Sequence, residues 1–390
     1  MKCDIIIPIW DQLEHTQTCI ENIIKNTLYP YRLILIDNAS GDDTRKYLES
    51  LKNRNPLDVE LIRNEENLGF VKAVNQGLKI SSAPYICILN NDTIPAPGWL
   101  EKMIDFAIQH RDVGLVNPQC NGHGNVPIGI YAKTLEKYKG KYMEMNQCQG
   151  FCMLIKREVI DRIGYLDEIF GIGGFDDTDY SMRANIAGYR CVAIKEAYVY
   201  HRLHASFDKS GNREDWVRRN QKIYYKKWGK HLRIGIAVSL DRPSDYIISN
   251  VLLFSYGLAR EWSWVHIWIH QQGKKDLMLK KINEILDINN LPFHQNIRIG
   301  YFDFPRPIFG ITIASKLLER MRSHMKDKRF DVLIVSDESL MRFMYTFAKI
   351  SNTHIIKLPF IEKNCDWQKK GRETALFIKN SKSKNEEHQL

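Results

Sequence analysis

The chain has 390 residues, 44% hydrophobic and 26% charged, which is enough apolar content for two cores and too much for a disordered protein. A formal charge of +10 suits an anionic partner: nucleic acid, an acidic membrane surface or a phosphorylated small molecule. Eight cysteines without a Cys-x-x-Cys pair argue against a disulfide framework or a paired-cysteine metal centre and predict reduced thiols in a cytoplasmic protein.

Asp4-Ile5-Ile6-Ile7-Pro8-Ile9 is apolar at successive positions, as a strand covered on both faces must be. The apolar run from Cys3 to Trp10 is too short for a signal peptide, and Asp11 and Glu14 close it. Residues 11–27 then place Leu13, Ile20, Ile23 and Ile24 on one helical face. Leu33 to Ile36 is a second strand, running into Asp37-Asn38-Ala39-Ser40-Gly41, a capped turn and a new helix. The unit repeats at Val59 to Ile62 with a helix over 69–79, and at Tyr85 to Leu89 with a helix from Pro97. Val113 to Val116 is a fifth strand, and residues 118–149, which lack clear periodicity, are predicted to form a long loop.

Phe151 to Ile155 reads as a strand, 157–163 as a helix, and two short strands end at His201. A basic, aromatic helix end precedes residue 230, where a domain boundary is placed. The strand pattern restarts at Leu232 to Val238, with Val265 to Ile269 and Asp331 to Val335 as later strands. Residues 231–362 are therefore a second, smaller α/β domain and 363–390 a flexible tail. The apolar stretch Tyr246 to His270 is broken by Arg260 and Glu261 and is no membrane span.

Ligands bind at the carboxyl ends of strands in such sheets, where Asp37-Asn38, Asn67-Leu68-Gly69 and Asn90-Asn91-Asp92 fall. Caps and turns account for each cluster taken singly. Their order is more telling. Asp4 to Trp10, Ile36 to Thr44, Asn64 to Phe70, Leu89 to Asp92, Phe175 to Arg183 and Val199 to His201 together resemble the family 2 glycosyltransferases, in particular the rhamnosyl- and galactofuranosyl-transferase-like branch. The resemblance covers residues 3–228. It implies a GT-A nucleotide-binding fold, a Rossmann-like, mainly parallel sheet, and an inverting transfer of sugar from a nucleotide diphosphate to an acceptor hydroxyl.

The resemblance also assigns residues. Pro8, Asp37, Asn67, Gly69, Asn90 and Asn91 would bind the nucleotide, with Asp37 reading the base and Gly69 allowing close approach to the diphosphate. Asp92 matches the last carboxylate of the family's Asp-x-Asp motif, whose first position is Asn90 here. Asp92 and His201 would hold a divalent cation, Mn²⁺ or Mg²⁺, whereas His204 reads as an ordinary surface histidine. Asp177 would be the general base and Asp176 would orient the acceptor, while Asp179 and Arg183 brace the helix. Gln149 and Gly150 would wall the donor sugar.

The expected partners are a nucleotide-diphosphate sugar and a glycan or lipid-linked acceptor of surface polysaccharide assembly. A peripheral contact with the anionic inner face of the cytoplasmic membrane is the third partner, and nucleic acid is not one. A nucleotidyltransferase would need a Gly-rich, basic loop after the first strand, which Pro8 to Gln12 lacks. A non-catalytic sugar-nucleotide or carbohydrate-binding module is the alternative from another class. Residues 231–362 resemble half of a two-Rossmann-domain glycosyltransferase only faintly, and Asp337-Glu338 reads as a helix cap, so an acceptor-binding, docking or assembly role is expected there.

Overall fold

The computed structural model describes residues 2–52, 57–202, 213–240, 244–271, 275–321 and 328–387. His204 lies outside them. The chain divides into two compact units, residues 1–229 and 230–390.

In the first unit, β1 (Cys3–Ile9), β2 (Tyr31–Asn38), β3 (Val59–Asn64) and β4 (Tyr85–Leu89) are joined by α1 (Leu13–Asn26), α2 (Asp42–Lys52) and α3 (Phe70–Ile80). They lie parallel in the order β3-β2-β1-β4. Ile5, Ile7, Leu33 and Leu35 feed one core; Ile6, Ile34 and Ile36 feed the other. This two-sided burial is why the strands read as unbroken apolar runs, each isoleucine contributing about 1.5–3 kcal/mol. A buried charge inside it, Asp4 near the start of β1, is paired with Arg32 of β2.

The remaining elements are β5 (Thr93–Pro95), α4 (Trp99–Gln109), β6 (Val113–Gln119), α5 (Ile128–Thr134), β7 (Tyr142–Met145), β8 (Cys152–Lys156), α6 (Arg157–Ile163), α7 (Asp176–Ile186), β9 (Arg190–His201) and α8 (Arg213–Trp228). β8 lies antiparallel between β4 and β6, β6 runs parallel to β9, and β9 carries β7 and β5 as antiparallel neighbours. Two expectations change here. Residues 118–149 are not one long loop, since α5 and β7 are built from them, and the two strands expected before His201 are one strand of 12 residues.

The second unit contains β10 (Arg233–Ser239), α9 (Asp245–Arg260), β11 (Trp264–His270), α10 (Lys275–Ile288), β12 (Phe293–His294), β13 (Ile297–Phe302), α11 (Arg306–Glu319), β14 (Val332–Val335), α12 (Glu338–Ile350), β15 (His354–Lys357) and α13 (Trp367–Glu387). Its parallel sheet runs β13-β11-β10-β14-β15, a doubly wound order. α9, α10 and α13 cover one face and α11 and α12 the other. Asp337 is the cap of α12, its side chain accepting Leu340 N at 2.9 Å.

The flexible tail expected from residue 363 is a helix instead. α13 buries Trp367, Ala375 and Ile378 in the core beside α9. Glycines let the two backbones close: a Cβ on Gly371 would stand 2.2 Å from Phe254 O, and one on Gly257 2.1 Å from Gln368 O. Gly371→Ala should therefore lower the stability of the second unit by about 1–3 kcal/mol, as overpacking does. Denaturant unfolding checks this; an unchanged midpoint would mean that α13 does not dock there in solution.

Candidate active site

The polar ends of β1, β2 and β3 are held together by side chains. Asp37, 1% exposed, accepts Ser40 N at 2.8 Å through Oδ1, and its Oδ2 pairs with Arg63 of β3. Arg63 also donates to Ser40 O at 3.2 Å. Ser40 Oγ accepts Asp11 N at 2.9 Å, and Asp11 Oδ1 accepts Gly41 N at 2.8 Å, so the loops after β1 and β2 form one rim. Pro8 lies in β1 opposite Ile36, one residue before the Ile9–Asp37 pair. Asp37 keeps lone pairs for one further donor, since a carboxylate accepts about four hydrogen bonds.

Three residues expected at the nucleotide brace the protein itself. Asn67 Oδ1 accepts Asn38 Nδ2 at 2.8 Å and Gly69 N at 2.9 Å, which closes the loop before α3. Gly69 has φ +81°, and the close approach it permits is to the 171–172 backbone, 3.1 Å from where a Cβ would stand. Asn91 is buried and donates to Thr16 Oγ1 of α1 at 3.0 Å. The Asn91 side chain is therefore turned into the fold.

Asn90 and Asp92 behave differently. β5 pairs with β9 so that Thr93 stands opposite His201, which brings the turn after β4 to the end of β9. His201 Nε2 lies 3.2 Å from Asp92 Oδ1 and 3.4 Å from Asn90 Nδ2. The Asp92 approach is not an aligned hydrogen bond: Asp92 Oδ1 and Asn90 Oδ1 are both buried acceptors without a donor. Buried oxygens without donors are costly, so such a pair fits a cation or a ligand hydroxyl. Among the described residues no group of three or more His, Cys, Asp or Glu able to hold a metal occurs.

Asp177 is the second residue of α7, which follows a loop in which Gly171, Gly173, Gly174 and Phe175 all take positive φ. Buried Asn220 of α8 fixes that loop by donating to Phe170 O, Gly173 O and Gly174 O at 2.8, 3.0 and 3.1 Å. Asp177 Oδ2 accepts Gly150 N at 3.1 Å, and its Oδ1 accepts Thr178 N and Oγ1. Burial raises its pKa against those hydrogen bonds. Asp176 is 4% exposed and accepts Gly174 N at 2.7 Å, so it faces its own loop. Burial, with the charge of Asp177, pushes Asp176 up to about 7.

Asp179 is the expected brace. It pairs with Arg183 at 2.8 Å and also receives Trp228 Nε1 at 2.8 Å and Lys227 Nζ at 2.7 Å.

Residues 149–152 join the two halves. Gly150 N reaches Asp177, Phe151 O accepts Asn90 N at 2.8 Å, and the Phe151 ring stacks on His201 with centroids 5.0 Å apart. The side chain of Asn117, on β6, holds this segment by donating to Gln149 O and Cys152 O and accepting Gln149 N at 2.7 Å. The Gln149 side chain is exposed. Sequence reasoning missed Arg63, Asn117, Phe151 and Asn220, which act through contacts distant in the chain. Only the glycine run before Asp176 signalled a constrained loop.

Comparison with known proteins puts this unit in the class of glycosyltransferases. Residues 4–164 match the family described as Glycosyl transferase family 2. An uncharacterised protein of Sinorhizobium fredii is 27% identical over 58% of this chain, which spans only 27% of that protein's length. The uncharacterised glycosyltransferase YwdF of Bacillus subtilis is 26% identical, over 62% of this chain and 91% of its own. Among solved structures, a mannosyltransferase from Pyrobaculum calidifontis in complex with GDP-Man and Mn²⁺ is 14% identical with a TM-score of 0.43, covering 90% of this chain and 86% of that one.

The raised Asp176 predicts a pH dependence of stability. Its folded pKa lies above the unfolded value of about 3.9, so the folded state holds the proton more tightly. Stability from this group is full at acid pH and is lost as pH rises through about 7. Asp176→Asn should flatten the fall in Tm across that range. Parallel Tm profiles for the two proteins would show that Asp176 ionises freely.

Proposed function

We propose that the chain is an inverting glycosyltransferase that moves a sugar from a nucleotide diphosphate to an acceptor hydroxyl by single displacement. The observation that carries this is the two-residue link Gly150-Phe151, which ties the carboxylate of Asp177 to the Asn90–Asp92–His201 end of the sheet. One short segment thereby sets a proton acceptor against a group of unpaired oxygens suited to a diphosphate and its counter-ion.

In this reading the base lies against the rim of Asp11, Asp37, Ser40 and Arg63, with Asp37 taking an N–H of its edge and Pro8 at the floor. Asp92 and His201 would hold the divalent cation, Mn²⁺ or Mg²⁺; when bound, it neutralises the charge that builds on the departing diphosphate. Asn90, beside them, is placed for a ribose hydroxyl or water. Gly150 and the exposed Gln149 border the sugar. The acceptor oxygen attacks the anomeric carbon as the bond to the diphosphate oxygen breaks, and its proton passes to Asp177 Oδ2. A raised pKa makes Asp177 a better base than an exposed aspartate, and the hydrogen bonds on Oδ1 fix its orientation. Asp176, bound to its own loop, helps to keep α7 in place and orients the acceptor only through Asp177.

The acceptor is a glycan or lipid-linked glycan of surface polysaccharide assembly, handled at the cytoplasmic face of the membrane. The basic charge of the chain suits a peripheral contact with that anionic surface. No helix among the described residues is long and apolar enough to cross a membrane.

Asp177→Asn keeps volume and most hydrogen bonding but cannot take a proton. Donor affinity should stay within a few-fold of wild type while kcat falls by about 10²–10⁴. Steady-state kinetics with a panel of sugar nucleotides, and NMR of the product's anomeric configuration, test this. Near-normal kcat in the variant, or a product that keeps the donor's configuration, would remove Asp177 from the role.

A further inference from the structure

The excess positive charge is concentrated in one unit. Residues 230–390 contain 26 Lys and Arg against 17 Asp and Glu, whereas residues 1–229 contain 30 against 29. The second unit also exposes apolar side chains in an ordered way. On α11, Ile308, Ile311 and Leu318 are 48%, 59% and 36% exposed and fall on one stripe at three- and seven-residue spacing. α12 lies against α11 through Gly310, where a Cβ would come within 2.8 Å of the Phe343 ring. Phe343 and Ile350 of α12 are themselves 42% and 53% exposed. Between the helices runs an open groove of about 450 Å³ lined by Ile311, Ala314, Ser315, Leu318, Glu319 and Phe347.

Cations flank this apolar strip. Lys316 of α11 and Arg320 just after it lie near His266 of β11, which stands opposite Arg298 of β13 in register. The Arg320 guanidinium sits 4.0 Å over the Phe330 ring. Burial and the surrounding cations hold His266 down at about 4, so it adds no charge at neutral pH. Lys349 is exposed on α12. Among the described residues no carboxylate forms a salt bridge with Lys316, Arg320, Arg298 or Lys349, and Glu319 is the one acidic residue lining the groove.

We propose that the α11–α12 face of the second unit docks the chain on an anionic lipid bilayer. This rests on the peripheral contact proposed above and names its surface. Aliphatic and phenyl groups between unpaired cations match an interface that takes apolar side chains among its headgroups while its phosphates attract the flanks. A bilayer asks for no fixed set of polar partners, and the stripe is apolar at Ile308, Ile311 and Leu318.

Vesicle co-sedimentation of the full chain tests it. Binding to phosphatidylglycerol-containing vesicles should exceed binding to phosphatidylcholine alone by about ten-fold or more and fall with added salt. The exposed pair Ile308→Ser/Ile311→Ser, and separately Arg298→Gln/Lys316→Gln, should each cut that binding several-fold with the far-ultraviolet circular dichroism and Tm unchanged. Binding of the wild type that both folded variants retain would place the membrane contact elsewhere on the chain. No preference for the anionic vesicles would refute the peripheral contact itself. A wild-type dimer that the isoleucine pair turns into a monomer would assign the face to a second copy instead.

Discussion

The side-chain amide of Asn117 is the constraint on which the site geometry depends. It is 2% exposed and spends both of its polar atoms on the backbone of residues 149–152. That segment leaves the sheet edge, passes Asp177 and re-enters as β8, so its path sets where Gly150 N and Phe151 point. An amide in this position is difficult to replace. Leaving its buried backbone partners unpaired costs about 1–3 kcal/mol for each group.

The same logic recurs around the rim. Asn38 accepts Asn64 Nδ2 and Leu68 N, Asn220 gathers three carbonyls of the glycine loop, and Asn67 closes the turn before α3. Loops at the carboxyl ends of a parallel sheet cannot use ladder hydrogen bonds, and short amides satisfy them instead. Neutral amides thus hold the loops around the site, while Asp37 itself is fixed by Ser40 N and the Arg63 guanidinium.

Much of this was legible in the sequence, and the exceptions have physical causes. β1, β2 and β4 announce themselves because both faces are buried, and the polar clusters mark where each apolar run ends. β9 was read as two strands because Lys195 and Glu196 interrupt its apolar pattern while staying half-buried in one continuous strand. β7 escapes the pattern because it is four residues long and its residues are Tyr, Met, Glu and Met, with no run of β-branched side chains. α13 reads as a tail because the chain ends in the polar run Ser381 to Glu387, although Trp367, Ala375 and Ile378 anchor it in the core. The acids Asp37 and Asp92 at strand ends and Asp177 at a helix start can be picked out locally. Whether a neighbour such as Asn91 faces a ligand or the core cannot, since its contact with Thr16 spans 75 residues.

The central claim is that Asp92 and His201 hold a cation beside the diphosphate while Asp177 faces the sugar from across Gly150-Phe151. A crystal structure of the full chain with nucleotide diphosphate and Mn²⁺, read by anomalous scattering, tests it most directly. The account predicts one manganese peak within about 2.0–2.3 Å of Asp92 Oδ1 and His201 Nε2, completed by phosphate oxygens and water. A nucleotide bound with no peak there, or a peak coordinated by Asp176 or Asp177 instead, would contradict it.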